Sequence, residues 1–383
     1  MTKVYIIRHA EAEGNLYRRI HGHYDSNITE TGMLQLEKLR ERFEKIPIDA
    51  VYSSDLTRAQ TTARAVSVPK RLEVITVPEL REVDMGLWED MTWGDVVIQW
   101  PEMLKNFTID PDKWDIPGAE SMSEVAERMS CAIKTLAARH DGGSIAVVTH
   151  GSASRTLFGH VLNIPSDRMM EVGASDNTAV SLLNVSGNNI EIEYKNDNSH
   201  LPHELSIFSR QNWHTKKNGD DDSNLRYAPI DAKFDKDRYL QYRSDAWMTV
   251  HGTMDGYSND YYNLLLKHQK EYPMAAVTVY SKDNPIGLLE LDVKTGHKEG
   301  YGSIAFYYLT EPYRYKGLGV QLLGQATSVY RSMGRDRLHL HVAEENTSAR
   351  NFYAKYGFEA VGETRGSLGT LYIMEKDITL KIK

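Results

Sequence analysis

Two histidines and two arginines stand where short hydrophobic runs end. Val4-Tyr5-Ile6-Ile7 leads straight into Arg8-His9, Ile145–Thr149 leads into His150-Gly151, and Arg58 follows Ser53-Ser54-Asp55-Leu56-Thr57 behind a third run, Ala50–Ser53. Open α/β sheets place ligands just beyond the carboxyl ends of their strands, so these four side chains can meet over one sheet edge. Arginine forks bind phosphate oxygens in pairs and stay charged at any working pH. A neutral imidazole is also a good nucleophile toward phosphorus near neutral pH. The set makes a cage for a dianion with an attacking group inside it, lacking only an acid for the leaving oxygen.

The elements that must position these groups follow from the hydrophobic pattern. From Val4 to about Leu201, β-branched runs (Val4–Ile7, Ala50–Ser53, Ile145–Thr149, Val180–Val185) alternate with helical stretches, the order of an α/β layer fold with a mostly parallel sheet. Leu34, Leu39 and Phe43 fall near helical spacing, and Val125, Met129, Ile133 and Leu136 follow it at steps of four, four and three. Both stripes are expected to face the core. A polar stretch, 211–222, then breaks the periodicity and is expected to be a linker. Strand-like Ala275–Tyr280, Gly287–Val293, Ser303–Leu309 and Arg337–Val342 follow, with helices expected over about 319–333 and 347–356.

Composition bounds what such a chain can be. At 383 residues it exceeds what one core usually serves, and two domains are expected, 1–210 and 223–383. Apolar residues at 41% and a mean hydropathy of -0.49 describe a globular chain with no stretch suited to spanning a membrane. One cysteine, Cys131, can form no intrachain disulfide, and with no secretory signal legible at the start a cytoplasmic location is expected. The net charge of -8 offers no field for a polyphosphate backbone, so nucleic acid is not expected as a partner.

The first half resembles the histidine phosphatase (phosphoglycerate mutase-like) superfamily. The resemblance runs through Arg8-His9-Ala10-Glu11-Ala12-Glu13-Gly14-Asn15, Gly22-His23-Tyr24-Asp25, Ser53 to Ala63, Leu80-Arg81-Glu82 to Glu89, Gly118-Ala119-Glu120-Ser121, Val148 to Ser152, and Ser199-His200-Leu201. It implies a three-layer α/β fold, a phosphohistidine at His9, and Arg8, Arg58 and His150 around the transferring phosphoryl group. It makes Glu82 the general acid that protonates the leaving oxygen and then activates water. Asn15, His21 and Gly22 are implied at the substrate, and no metal is needed. His21, His23, His200 and His203 have no third ligand at metal spacing and read otherwise as loop or pocket-wall residues. Tyr17, Tyr24, Trp88, Trp93 and Trp100 are as compatible with packing as with a substrate pocket. Two positions depart from the pattern: Ala10 replaces glycine, and Ala12 replaces a hydroxyl residue whose hydrogen bond to an anion is worth about 1.5–3 kcal/mol. No basic residue occurs between Glu82 and Lys105, where the mutase branch grips a second phosphate, which favours hydrolysis of a small phosphomonoester over mutase chemistry.

The second half carries Arg314-Tyr315-Lys316-Gly317-Leu318-Gly319-Val320 between a strand and a helix, where glycines let the backbone approach an anion. A dinucleotide fingerprint fails, because Leu322 stands where its third glycine belongs. Asn346, Tyr353, Gly357 and Phe358 complete a second motif, and the two together resemble the GCN5-related N-acetyltransferase (GNAT) family, an α/β (α+β) fold. The resemblance implies acetyl-coenzyme A held by residues 314–320 and Asn346, a small amine as acceptor, and Tyr353 as the acid for the departing thiolate; a packed helix residue is the equal alternative for Tyr353. Glu290, Asp292 and Glu311 are expected to be solvated carboxylates, none identifiable as the base, and His339 with His341 is expected to be structural. The whole therefore reads as a bifunctional chain. Its alternatives are phosphoglycerate mutase-type transfer, or one half serving only as a ligand-binding sensor.

Overall fold

A computed structural model of the chain describes residues 1–211, 223–231, 233–258 and 260–382. The chain divides into two compact units, Met1–Asp221 with Leu380–Lys383, and Asp222–Thr379. Most of the expected linker, residues 212–222, lies outside the described residues. Among the described residues no helix is long and apolar enough to cross a membrane.

The first unit contains strands β1 (Thr2–Arg8), β2 (Ala50–Ser53), β3 (Val74–Thr76), β4 (Ser144–Thr149), β5 (Val180–Ser186) and β6 (Asn189–Asp197). They form a sheet in the order β3-β2-β4-β1-β5-β6. The first four run parallel, and β5 and β6 close the edge antiparallel. Its helices are α1 (Glu13–Tyr17), α2 (Glu30–Phe43), α3 (Thr57–Ser67), α4 (Trp93–Gln99), α5 (Pro101–Ile109), α6 (Met122–Ala138), α7 (Gly151–Val161) and α8 (Ile207–Arg210). Alternation along β1 builds three layers. Val4 and Ile6 pack on one side with Val125, Met129, Ile133 and Leu157 of α6 and α7, and Tyr5 and Ile7 pack on the other with Leu36, Leu39, Phe43 and Ala59 of α2 and α3.

Side-chain caps fix where these helices begin. Thr29 accepts from the Gly32 amide ahead of α2, and Ser121 with Glu124 forms a capping box ahead of α6. One expected core position is corrected: Leu34 is 49% exposed, and Leu36 takes the inward place because it lies one turn before Leu39 and Phe43 on the buried stripe.

The second unit contains β7 (Leu225–Pro229), β8 (Ala276–Ser281), β9 (Asn284–Asp292), β10 (Tyr301–Leu309), β11 (Arg337–Ala343), β12 (Glu359–Arg365) and β13 (Thr370–Asp377), in the order β12-β13-β11-β10-β9-β8-β7. Only β10 and β11 run parallel among the described pairs. Helices α9 (Lys236–His251) and α10 (Tyr261–Glu271) bury Tyr239, Tyr242, Tyr262 and Leu265 against Leu288 and Tyr308 of the sheet. Helix α11 (Gly319–Ser332) and helix α12 (Thr347–Lys355) complete the unit. At Gly302 of β10 a Cβ would lie 2.1 Å from the Tyr330 ring of α11, so only glycine admits that contact.

Candidate functional sites

Parallel pairing of β1 with β4 sets Arg8 beside Thr149, so both strands end level, with Arg8-His9 and His150-Gly151 at the same edge. The His9 and His150 rings lie 5.1 Å apart, centroid to centroid. His9 Nδ1 is 2.7 Å from the Ala10 carbonyl oxygen. A carbonyl only accepts, so Nδ1 carries the hydrogen and the Nε2 lone pair is left for chemistry. Burial holds the His9 pKa well below 6.5, and the charges of Arg58 and Arg8 add to the effect. His150 is held down in the same way, by burial, then by Arg58 and by His9. Both imidazoles are therefore neutral at neutral pH. Among the described residues neither nitrogen of the fully buried His150 has a hydrogen-bond partner, and neither has the buried Nε of Arg8. Unsatisfied buried donors of this kind fit an anion.

Arg58 is 1% exposed, and its guanidinium donates to the carbonyls of Tyr24 (3.0 Å), His21 (3.1 Å) and Gly22 (2.7 Å), with Asp25 at 3.7 Å. That loop is knitted in turn by Glu89, whose carboxylate accepts from the amides of Gly22, His23, Tyr24 and Met85. The Gly22 amide is therefore engaged by Glu89 and not free for a ligand. The Glu82 carboxylate caps the start of α7, accepting from Ser152 N at 3.0 Å and from Ala153 N at 2.6 Å, and it also accepts from its neighbour Val83 N. Arg128 of α6 holds the chain at and just before this group, donating to the carbonyls of Glu79, Arg81 and Glu82 and pairing with Glu120.

The remaining candidates have distinct surroundings. Asn15 Oδ1 accepts from the Ala12 amide, which leaves its NH2 group for a ligand. His21 lies against Tyr24 and 3.5 Å from Asp90, with its pKa lowered by burial. His23 contacts the Glu82 carbonyl and Asp84, and His200 contacts Arg42 and Thr178. Trp88 is fully buried against Phe107 and Trp114, and so belongs to the core. Sequence reasoning missed Asn177, whose amide donates to the His9 carbonyl at 3.1 Å, and it missed Arg128. Each meets the site only through long-range contacts, with no local motif to mark it. Among the described residues no group of three or more His, Cys, Asp or Glu could hold a metal ion.

In the second unit, β10 and β11 pair only from Tyr301–Ile304 against Arg337–Leu340, though β10 runs on to Leu309 and β11 to Ala343. Beyond Ile304 the strands part. Residues 314–318 form a turn between β10 and α11, whose first residues are Gly319 and Val320. Tyr315 (φ 60°) and Gly317 (φ 75°) adopt left-handed backbone there, and nothing lies within 4 Å of where a Gly317 Cβ would stand. The first turn of α11 leaves amides without intrahelical partners, and Lys316 adds a cation, a donor set that fits a diphosphate. Arg314 differs from expectation, because its side chain turns back to the Leu309 carbonyl and to Asp245. Asn346 spends its side-chain oxygen on the Ala349 amide as the N-cap of α12. Tyr353 is buried against Tyr307 and Phe358, burial raises its pKa, and its hydroxyl has no partner among the described residues. Glu290 is corrected outright. It is fully buried, not solvated, bonded to Arg243 at 2.7 Å, Tyr239 at 3.2 Å and His268 at 3.2 Å, because a carboxylate on the inner face of β9 needs such partners. His339 pairs with Glu375 and stacks on Tyr301.

Each unit matches a known family. Residues 4–198 match the family model of the histidine phosphatase superfamily (branch 1), and residues 237–358 match that of the acetyltransferase (GNAT) family. Phosphoglycerate mutase-like protein 4 of Arabidopsis thaliana is 34% identical over 204 residues, covering 52% of this chain and 87% of that protein. The metal-independent phosphoserine phosphatase of the same plant is 32% identical over 205 residues, covering 52% of this chain and 84% of that protein. Among solved structures, YhfR of Bacillus stearothermophilus is 28% identical with a TM-score of 0.51, covering 52% of this chain and 99% of that one.

Proposed function

The chain belongs to the histidine phosphatase superfamily and carries a GNAT domain behind it, and from that membership we propose that its first unit hydrolyses small phosphomonoesters through His9. The observation that carries this reading is the neutral His9 ring, tied through Nδ1 to Ala10 and standing 5.1 Å from His150 among buried arginines. Nε2 attacks phosphorus as the ester P–O bond breaks, and Glu82 gives the leaving oxygen its proton. Water then attacks phosphorus while Glu82 takes back a proton, the P–N bond breaks with its electron pair returning to His9 Nε2, and inorganic phosphate leaves. Arg8, Arg58 and His150 bind the charge that grows on the equatorial oxygens. A relative named as a metal-independent phosphoserine phosphatase supports a reaction without a metal, and small phosphorylated metabolites as substrates.

The second unit, proposed as residues 223–383, is read as an N-acetyltransferase acting on a small amine. Residues 314–320, chiefly through backbone amides and Lys316, would hold acetyl-coenzyme A, which supplies an activated thioester when bound. Tyr353, kept protonated by burial, is the acid available to a departing thiolate.

The test is phosphate release from a panel of phosphomonoesters with a chelator present, comparing the chain with His9→Ala. Release that the substitution abolishes supports the reading. Phosphoryl exchange between phosphoglycerates without release would establish mutase chemistry instead, and no reaction with any ester would leave the first unit a binding module.

A further inference from the structure

Strand β10 presents different side chains to its two faces where it parts from β11. Its register against β9 shifts between Ile304 and Phe306, and Ala305 is left exposed at the opening. Tyr307 turns to one face, where its hydroxyl donates to the Gly319 carbonyl and its ring meets Tyr353. Phe306 turns to the other, stacked on Tyr308 and capped at 3.9 Å by the Arg243 guanidinium of α9. The residues read as the coenzyme site therefore lie on the Tyr307 side, and an acceptor reaches the opening from the Phe306 side.

From Phe306 a line of rings leads outward. Arg243 also lies 4.5 Å from the Tyr261 ring, Tyr261 meets Tyr257 at 6.1 Å, and Tyr257 meets Trp247 at 6.0 Å. Trp247 stands four residues after Arg243 on α9, about 6 Å along the helix. All four rings are half-buried, whereas Tyr239, Tyr242 and Tyr262, which seat the helices on the sheet, are buried. Contiguous aromatic surface that packing leaves open marks ligand sites. The polar atoms of the outer two rings are already spent, since Trp247 Nε1 donates to the Asp255 carbonyl at 3.2 Å and the Tyr257 hydroxyl to the Leu240 carbonyl at 3.4 Å. What Trp247 and Tyr257 offer is thus ring surface, which suits a flat apolar group and not a sugar, whose hydroxyls need partners. Arg243 already stands over Tyr261 and Phe306, where a second ammonium of a polyamine would otherwise be caged. The loop that carries Tyr257 also meets the β12–β13 turn, because a Cβ on Gly256 would lie 3.5 Å from Ser367 and 3.6 Å from Leu368.

We propose that the acceptor of the second unit is a primary amine carried on an aromatic ring, with the ring against Trp247 and Tyr257 and the amine reaching the opening beside Phe306. A short alkyl arm covers the single turn of helix between Trp247 and Arg243. This rests on the acetyltransferase reading and narrows its acceptor from small amines to arylalkylamines.

The experiment follows thiol release from acetyl-coenzyme A by the full chain, with tryptamine and tyramine as aromatic amines and with putrescine and glucosamine as amines that lack an aromatic ring. The expected result is a kcat/KM about tenfold or more higher for an aromatic amine. Trp247→Ala and Tyr257→Ala should each raise its KM about 5- to 20-fold with kcat little changed, and should leave coenzyme A affinity by calorimetry as it was. Trp247→Phe should recover most of the loss, and Trp247→Leu, which keeps an apolar group in place, answers for an alanine variant that melts early. Equal kcat/KM on all four amines, or a preference for the two without an aromatic ring, overturns the proposal, and so does a KM that neither variant moves. If coenzyme A binds but no amine is acetylated, the acetyltransferase reading fails, and calorimetry of tryptamine against the coenzyme A complex decides for the rings. Binding that Trp247→Ala weakens sustains the aromatic site, and no binding overturns it.

Discussion

His9 and His150 are buried and His200 is half-buried, and all three imidazoles are held neutral by their surroundings, which has a consequence for stability. Burial lowers all three pKa values; neighbouring arginines help at each, and His200 is brought to about 4 from an ordinary 6.5. In an unfolded chain these histidines take up protons as pH falls through 6.5, whereas the folded chain keeps them neutral. The unfolded state then binds more protons, so the stability is fully present above 6.5 and is lost as pH falls below it. Tm should therefore drop steadily between pH 7 and pH 5. For His200 the window runs from 6.5 down to about 4, and His200→Asn should flatten the slope there. A melting series with no slope below pH 6.5 would mean that the folded imidazoles take up protons as readily as the unfolded ones, so that His9 would lose its free Nε2 as pH falls through 6.5. Geometry points the same way for His200, because Arg42 donates toward its Nδ1 and Thr178 contacts its Nε2, an arrangement that suits one neutral tautomer.

Loop 21–25 shows how elements aim residues that the sequence marks only by type. Glu89 gathers the amides of this loop, and the loop's carbonyls hold Arg58 at the mouth of α3. A Cβ on Gly22 would come within 2.3 Å of both Glu89 Oε1 and the Val83 carbonyl. Gly22→Ala should therefore cost about 1–3 kcal/mol of stability, as overpacked sites do. It should also weaken phosphate binding by displacing Arg58; a variant with unchanged Tm and unchanged phosphate affinity would refute this coupling. The motif around Gly22 and Glu89 was legible in the sequence, but their mutual contact was not, because 67 residues separate them. Strands buried on both faces, such as β1 and β4, were equally legible as continuous apolar runs. Helix α9 was not, since its inward side is built from Tyr239 and Tyr242 beside Arg243, with no aliphatic stripe. Strand β12 was not either: all seven of its residues are exposed, so it has no buried face to read.

At the scale of the whole chain, the question is how much of it each chemistry needs. The histidine phosphatase family match ends at residue 198, yet the first unit continues past that point for structural reasons. Ser206 Oγ and the Ile207 amide bond Asp176, which precedes the Asn177 that anchors the His9 carbonyl. Gln211 donates to the Asn15 carbonyl at 3.1 Å and accepts from Arg18 at 2.8 Å, and Arg210 pairs with the buried Glu11. Residues 199–211 thus brace the segment after β1 on which His9 sits and helix α1 with Asn15. A fragment of residues 1–211 should keep the phosphate-releasing activity of the full chain, whereas a fragment ending at 198 should lose about tenfold or more in kcat/KM and melt lower, because Asp176 would lose Ser206 and the Ile207 amide and the buried Glu11 would lose Arg210. The units should also be chemically separable. His9→Ala in the full chain should leave acetyl-coenzyme A binding by calorimetry unchanged, and Tyr353→Phe should slow acetyl transfer while phosphate release continues. A fragment of 1–211 that folds, by its melting curve, but releases no phosphate would show that the first site depends on the rest of the chain.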